Sequence, residues 1–232
     1  MFPLKDTQPS YSRPVVTIVL IAINILVFLY EWSLDEWSLP EYSRQYLSST
    51  ALIRMYGATP DHLRLTTLVT SMFLHGGWMH VLGNMLFLWV FGNRLEDALG
   101  HAKFLIFYLL CGVVAALAQV LLNPFSTVPI VGASGAIAGV MGAYLLKFPR
   151  ARILTLVFIV IFATTFEIPA VILLGYWFIF QLVSGLGSIA QTNLSGGGVA
   201  WFAHVGGFLA GMVLVKVMGT RERYYRPRNL YQ

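Results

Sequence analysis

The chain has 232 residues, 57% of them hydrophobic and only 11% charged, and its mean hydropathy is +0.72. Soluble domains carry about 25% charged residues, so a water-soluble fold would leave a large apolar surface uncovered. Several long, nearly charge-free runs set the class instead as a helical integral membrane protein. The net charge of +5 does not point to nucleic acid, because the basic residues cluster at the ends of apolar runs. The single cysteine, Cys111, excludes an intramolecular disulfide.

Residues 1–13 form a short N-terminal segment. Lys5 and Arg13 precede an apolar run, but no small-residue cleavage site follows Tyr30, which favours an uncleaved first span over a signal peptide. Span 1 is expected over about 15–30, with Pro14 where a helix can begin. The segment 31–71 contains Trp32, Trp37, Tyr42 and Tyr46, side chains suited to the lipid–water boundary, and reads as an interfacial loop of short amphipathic helices. Span 2 is expected over about 78–95, ending in Glu96-Asp97, and span 3 over about 102–122, stopped by Asn123-Pro124. Span 4 starts at Ser134 and ends near Leu146.

Within 151–167, the 14-residue run 153–166 is apolar but short, β-branched and closed by Glu167 and Pro169. A run of that length is more often re-entrant or interfacial than spanning, so it reads as a non-spanning segment. Span 5 follows over about 168–189, then a Gly/Ser/Asn loop at 191–198, and span 6 over about 199–218. The six-span domain therefore covers 14–219, and 220–232 is a basic tail carrying Arg221, Arg223, Arg226 and Arg228. With the N-terminus inside, all but Arg44, Arg54 and Arg64 of the 15 Lys and Arg residues fall on the cytoplasmic side. That distribution follows the positive-inside rule and places both termini in the cytoplasm.

The chemistry gathers at one end of this arrangement. Gly132-Ala133-Ser134-Gly135 presents a serine with flexible backbone close by, and Gly135 and Gly139 give the helix after it a face of small residues on which another helix can pack closely. Span 6 carries a matching Gly207/Gly211 face and, at the same outer end, His204. An imidazole beside a hydroxyl is the minimum for nucleophilic activation. The bland alternative is a packing seam in which His204 merely bonds a neighbouring hydroxyl. On span 2, His80 and Asn84 lie four residues apart and share a helix face. Their N–H groups are donors of the kind an oxyanion requires, although His75 and His80 also fit simple interfacial polarity. Within the spans no Asp or Glu lies near the outer ends, so the arrangement reads as a Ser–His dyad unless an acid of the first loop dips in. At 1.5 Å per residue, span 4 reaches roughly 20 Å, against a hydrocarbon core about 30 Å thick. Ser134 should therefore be recessed, with the preceding segment dipping in above it.

These motifs resemble the rhomboid intramembrane serine proteases. The resemblance rests on glycine-x-serine-glycine (Gly132, Ser134, Gly135), alanine-histidine-x-x-glycine (Ala203, His204, Gly207) and histidine-x-x-x-asparagine (His80, Asn84) after His75. Gly92, Glu96 and Gly100 match the family's pattern at the end of its second span, and the likeness covers about residues 12–218. It implies an all-α polytopic membrane protein, a six-transmembrane-helix rhomboid-like bundle. It further implies a serine endopeptidase that cuts single-pass membrane proteins within the lipid bilayer, with neither cofactor nor metal and no nucleic-acid partner. Ser134 would be the nucleophile and His204 the base. His80, Asn84 and the Ser134 backbone N–H would donate to the oxyanion, with His75 a further candidate. The expected location is the cell membrane of a prokaryote. The alternative is a proteolytically inactive relative that binds membrane clients. Two departures stand out: Ala138 occupies the position where some relatives place a tyrosine that stacks on the histidine, and Leu63-Arg64 replaces a tryptophan-arginine pair.

Overall fold

The computed structural model describes residues 2–7, 10–36, 48–159, 162–190 and 200–220. The apolar runs become helices α1 (Val15–Glu36), α5 (His101–Leu122), α6 (Ser134–Lys147), α7 (Ala170–Ala190) and α8 (Trp201–Met218). The amphipathic α2 (Ser49–Tyr56) is capped by Ser48, whose hydroxyl accepts the Ala51 N–H. Between α2 and α5 lie α3 (Trp78–Phe87) and α4 (Asn93–Leu99), joined without a break by a π-helical turn at Leu88–Gly92. Among the described residues, four segments are long and apolar enough to cross a membrane: Val15–Asp35, His101–Leu122, Ala170–Gly187 and Trp201–Met218. The α3–α4 unit and the short α6 complete a bundle consistent with six spans. α6 is the central helix, buried from Gly135 through Tyr144.

The bundle is not purely helical. Across 151–167 the described residues form an antiparallel strand pair, β2 (Arg152–Ile159) and β3 (Phe162–Pro169), in register from Arg152↔Pro169 to Ile159↔Phe162. Strand β1 (Phe2–Asp6) adds to its other side, giving the order β1-β2-β3. Strand ends paired in this way bring the chain back to where it left, and the Ala170 N–H bonds the Ala151 carbonyl at 2.8 Å. α7 thus starts beside the end of α6, and the start of α8 lies at the same end of the bundle as the start of α6.

Helix α1 runs past the expected end of span 1. Glu31, read as the first loop residue, is 1% exposed, and its carboxylate accepts the His75 N–H at 3.1 Å. A partnered carboxylate can stay inside the fold, so the first charge does not end the helix. Trp37, Tyr42 and Tyr46 lie outside the described residues, as do the 191–198 loop and the arginines of the tail.

Glu96 and Asp97 tie the start of α1 to α4. The buried Glu96 carboxylate accepts the N–H groups of Val16 and Thr17 at 2.8 and 2.7 Å and the Thr17 hydroxyl at 2.7 Å, and it pairs with His101 Nδ1 at 2.5 Å. Asp97 accepts the Tyr11 N–H and the Ser12 hydroxyl. Glu96 thus caps the N-terminus of α1 from a neighbouring helix, where the macrodipole favours negative charge, and Asp97 holds the segment that leads into it. Removing one side of such a buried array strands the other groups at a cost of about 3–5 kcal/mol. Glu96→Ala is accordingly expected to lower the thermal midpoint by about 6–20 °C. Glu96→Gln, which keeps one acceptor oxygen, should lose roughly half as much. Thermal denaturation in detergent reads both, and an unchanged midpoint for Glu96→Ala would show the array to be dispensable.

Candidate active site

Small residues bring the reactive helices together. A Cβ on Gly207 would strike the Gly135 carbonyl oxygen, one on Gly211 the Gly139 carbonyl oxygen, and one on Gly142 the Phe208 carbonyl. The other side of α6 fits α5 as closely: a Cβ on Gly135 would lie 2.6 Å from that of Ala115, and one on Gly139 2.5 Å from Cys111. α6 is therefore clasped by α5 and α8 at backbone distance, as small-xxx-small faces permit.

The clasp sets Ser134 Oγ 2.8 Å from His204 Nε2. The two residues are half-buried and open onto a cleft of about 760 Å³, lined also by Met72, His80, Asn84, Gly132, Trp177 and Gln181. Ser134 is the first residue of α6, and no side chain caps that end. Its backbone N–H belongs to the set of helix-start donors without a helical acceptor, at the positive end of the helix dipole.

The chain enters α6 through a segment held against the first loop. Ile130 and Ala58 exchange backbone hydrogen bonds at 2.9 and 3.1 Å, and the Gly132 N–H bonds the Ser71 carbonyl at 2.9 Å. These partners satisfy irregular backbone that lipid could not accommodate. Gly132 has φ +113°, a conformation favouring glycine, and a Cβ there would lie 2.7 Å from His80 Nε2 and 3.5 Å from Asn84 Nδ2. The absence of a side chain at Gly132 lets the backbone pass directly over both groups, two residues before Ser134.

His80 and Asn84 share the α3 face that lines the cleft. His80 Nδ1 accepts the Gly76 N–H at 3.4 Å, which leaves the proton on Nε2, the nitrogen beside Gly132. Asn84 Nδ2 is buried and has no hydrogen-bond partner among the described residues. A buried unpartnered donor costs about 1–3 kcal/mol. Here that cost leaves an N–H pair available at the cleft.

His75 is placed differently from His80 and Asn84. It does not line the cleft. It is 2% exposed and packs edge-on behind His80 with ring centroids 5.1 Å apart. Burial, reinforced by the neighbouring His80, pushes its imidazole down to about 4. A neutral ring behind His80 buttresses that ring and cannot itself reach the cleft.

One cleft residue escapes the sequence reading altogether. Gln181 Oε1 lies 2.7 Å from His204 Nδ1. Trp177, one turn earlier on α7, sets its ring 5.7 Å from the imidazole, and Trp201 meets it edge-on at 6.5 Å. The available signal was that Gln181 is the one amide in an otherwise apolar span.

The fold and site together define a multi-pass helical membrane protein with a serine–imidazole pair in a cleft at one end of the bundle. The Rhomboid domain profile matches residues 62–221, and the chain belongs to the rhomboid family. It is 28% identical over 212 residues to the rhomboid protease GluP of Bacillus subtilis, covering 90% of this chain and 36% of that protein. It is 30% identical over 168 residues to the mitochondrial rhomboid protein 1 of Saccharomyces cerevisiae (71% and 45%). Over 157 residues it is also 30% identical to RHOMBOID-like protein 5 of Arabidopsis thaliana (68% and 45%). The chain thus spans less than half the length of these three relatives.

Proposed function

We propose that this rhomboid protein is an intramembrane serine endopeptidase, acting through a Ser134–His204 dyad on single-pass membrane proteins. The observation that carries the reading is the 2.8 Å contact between His204 Nε2 and Ser134 Oγ, made inside a cleft that also holds the Asn84 amide. In this reading Ser134 Oγ attacks the scissile carbonyl carbon as its proton passes to His204 Nε2. The negative charge moves to the carbonyl oxygen, where the Ser134 N–H, His80 Nε2 and Asn84 Nδ2 donate. His204 then returns the proton to the leaving amine, and water, deprotonated by the same imidazole, releases the acyl group and restores the serine. Relatives named as proteases support this reading. A client-binding relative without activity would need neither group of the dyad, and this chain carries both. Orientation with both termini in the cytoplasm, in the cell membrane of a prokaryote, is part of the same proposal and rests on the distribution of basic residues.

The direct test incubates the purified protein, in detergent and in vesicles, with a panel of single-span substrates beside the Ser134→Ala variant. Cleavage that depends on Ser134 is the expected result, and cleavage undiminished in the variant would end the reading. The donor set has its own test. Asn84→Ala should slow turnover with little change in KM, since the bond forms as charge develops. One lost oxyanion donor costs about 10²–10³-fold in a serine protease, and with three donors the loss here should lie at or below the lower figure. Full turnover by His80→Ala/Asn84→Ala would return both residues to interfacial polarity.

A further inference from the structure

We infer that Gln181 is a positioning residue for His204: its amide oxygen holds the proton on Nδ1, leaving the Nε2 lone pair facing Ser134. The inference rests on the proposed function and adds a third member to its dyad. Gln181 is 5% exposed on α7, in a helix with no other amide, acid or base. A buried amide is costly unless it is hydrogen-bonded, and its Oε1 lies 2.7 Å from His204 Nδ1. A carbonyl oxygen can only accept. The proton between these atoms therefore belongs to Nδ1, and the neutral ring must carry its lone pair on Nε2, the atom 2.8 Å from Ser134 Oγ. Trp177 lies four residues before Gln181, so the two share one face of α7. The indole packs beside the ring, 5.7 Å centroid to centroid, while the amide fixes its far nitrogen. Two contacts from one helix turn thus define both the tilt and the tautomer of the imidazole. This supplies an orienting group where neither a carboxylate nor a ring at Ala138 does so.

The alternative amide assignment makes the inference sharply testable. With Nε2 of Gln181 toward the ring, the amide would donate to Nδ1 and force the proton onto the histidine's Nε2. His204 would then have no lone pair with which to accept the serine proton.

The experiment combines kinetics with the ¹⁵N spectrum of histidine-labelled protein, assigning His204 by its loss in His204→Ala. Wild type, Ser134→Ala, Gln181→Leu, Gln181→Met and Gln181→Glu are compared. Wild-type His204 is expected as the Nδ1–H tautomer. Gln181→Leu and Gln181→Met, similar in volume but without an acceptor, should show a tautomer mixture. Their kcat should fall about 10–100-fold with KM nearly unchanged, short of the roughly 10⁴-fold loss when a triad histidine is forced into the wrong tautomer. Gln181→Glu restores an acceptor and should recover kcat to within about tenfold of wild type. A wild-type Nε2–H signal, or wild-type kcat together with an unaltered tautomer in both apolar variants, overturns the role of Gln181. If Ser134→Ala cleaves as well as wild type, the protease reading itself fails and the inference falls with it. The two failures are therefore separable.

Discussion

Ser134→Ala, His204→Ala and the double variant are expected to be equally inactive, each at least about 10³-fold below wild type. A serine hydroxyl is a poor nucleophile without a base, and among the described residues His204 is the only titratable group hydrogen-bonded to it. The two act as a unit, so either loss removes nearly everything the pair provides and the second substitution has little left to remove. A fluorophosphonate probe should label the wild type at Ser134, label His204→Ala far more slowly, and leave both Ser134 variants unmarked. All three proteins should remain folded, because Ser134 and His204 are half-buried at the cleft and neither is part of the buried apolar core. Losses that multiply in the double variant would mean that the serine and histidine act separately, and a dyad would no longer describe them.

The parts legible in the sequence were those coded within one helix or by one face meeting another. The expected starts of span 4 at Ser134 and of span 2 at Trp78 coincide with the starts of α6 and α3. Glycines at 135, 139, 207 and 211 announced a close pair of helices, and the structure packs those faces together. What escaped was coded at a distance. Strand β1 pairs with a partner about 150 residues away, and nothing local in Phe2–Asp6 names that partner. The strand pair left a partial trace in the β-branched Ile153, Thr155 and Val157 and in Thr164 and Thr165, yet its apolar content masked a strand as a membrane-edge segment. Glu31 read as the start of a loop because a charge normally leaves the membrane, and its burial depends on an N–H offered from residue 75. Gln181 followed the same rule in reverse. An amide in an apolar span has no meaning until the facing helix is known, and here that helix presents His204.

Gly211→Ala is expected to cost about 10²-fold in turnover, although it adds one methyl group seven residues from His204. The new carbon would overlap the Gly139 carbonyl oxygen, and its next neighbours are also Gly139 backbone atoms. A flexible side chain could rotate away from such an intrusion, but backbone can yield only if α6 and α8 separate. A separation of roughly 1 Å is enough to lose about 10²-fold in a reaction that depends on near-attack geometry, and it would open the 2.8 Å serine–imidazole contact. Overpacking of this kind also costs about 1–3 kcal/mol, or about 2–12 °C in the thermal midpoint. Gly175→Ala is the matched control: it is a helical glycine with nothing within 4 Å of an added Cβ. Alanine should be neutral there, or stabilising by up to about 1 kcal/mol through helix propensity. Comparing the two variants separates the loss of a glycine from the loss of close approach. If Gly211→Ala kept wild-type turnover and midpoint, the two helices could part without harm, and the glycine seam would not be what holds the serine to its base.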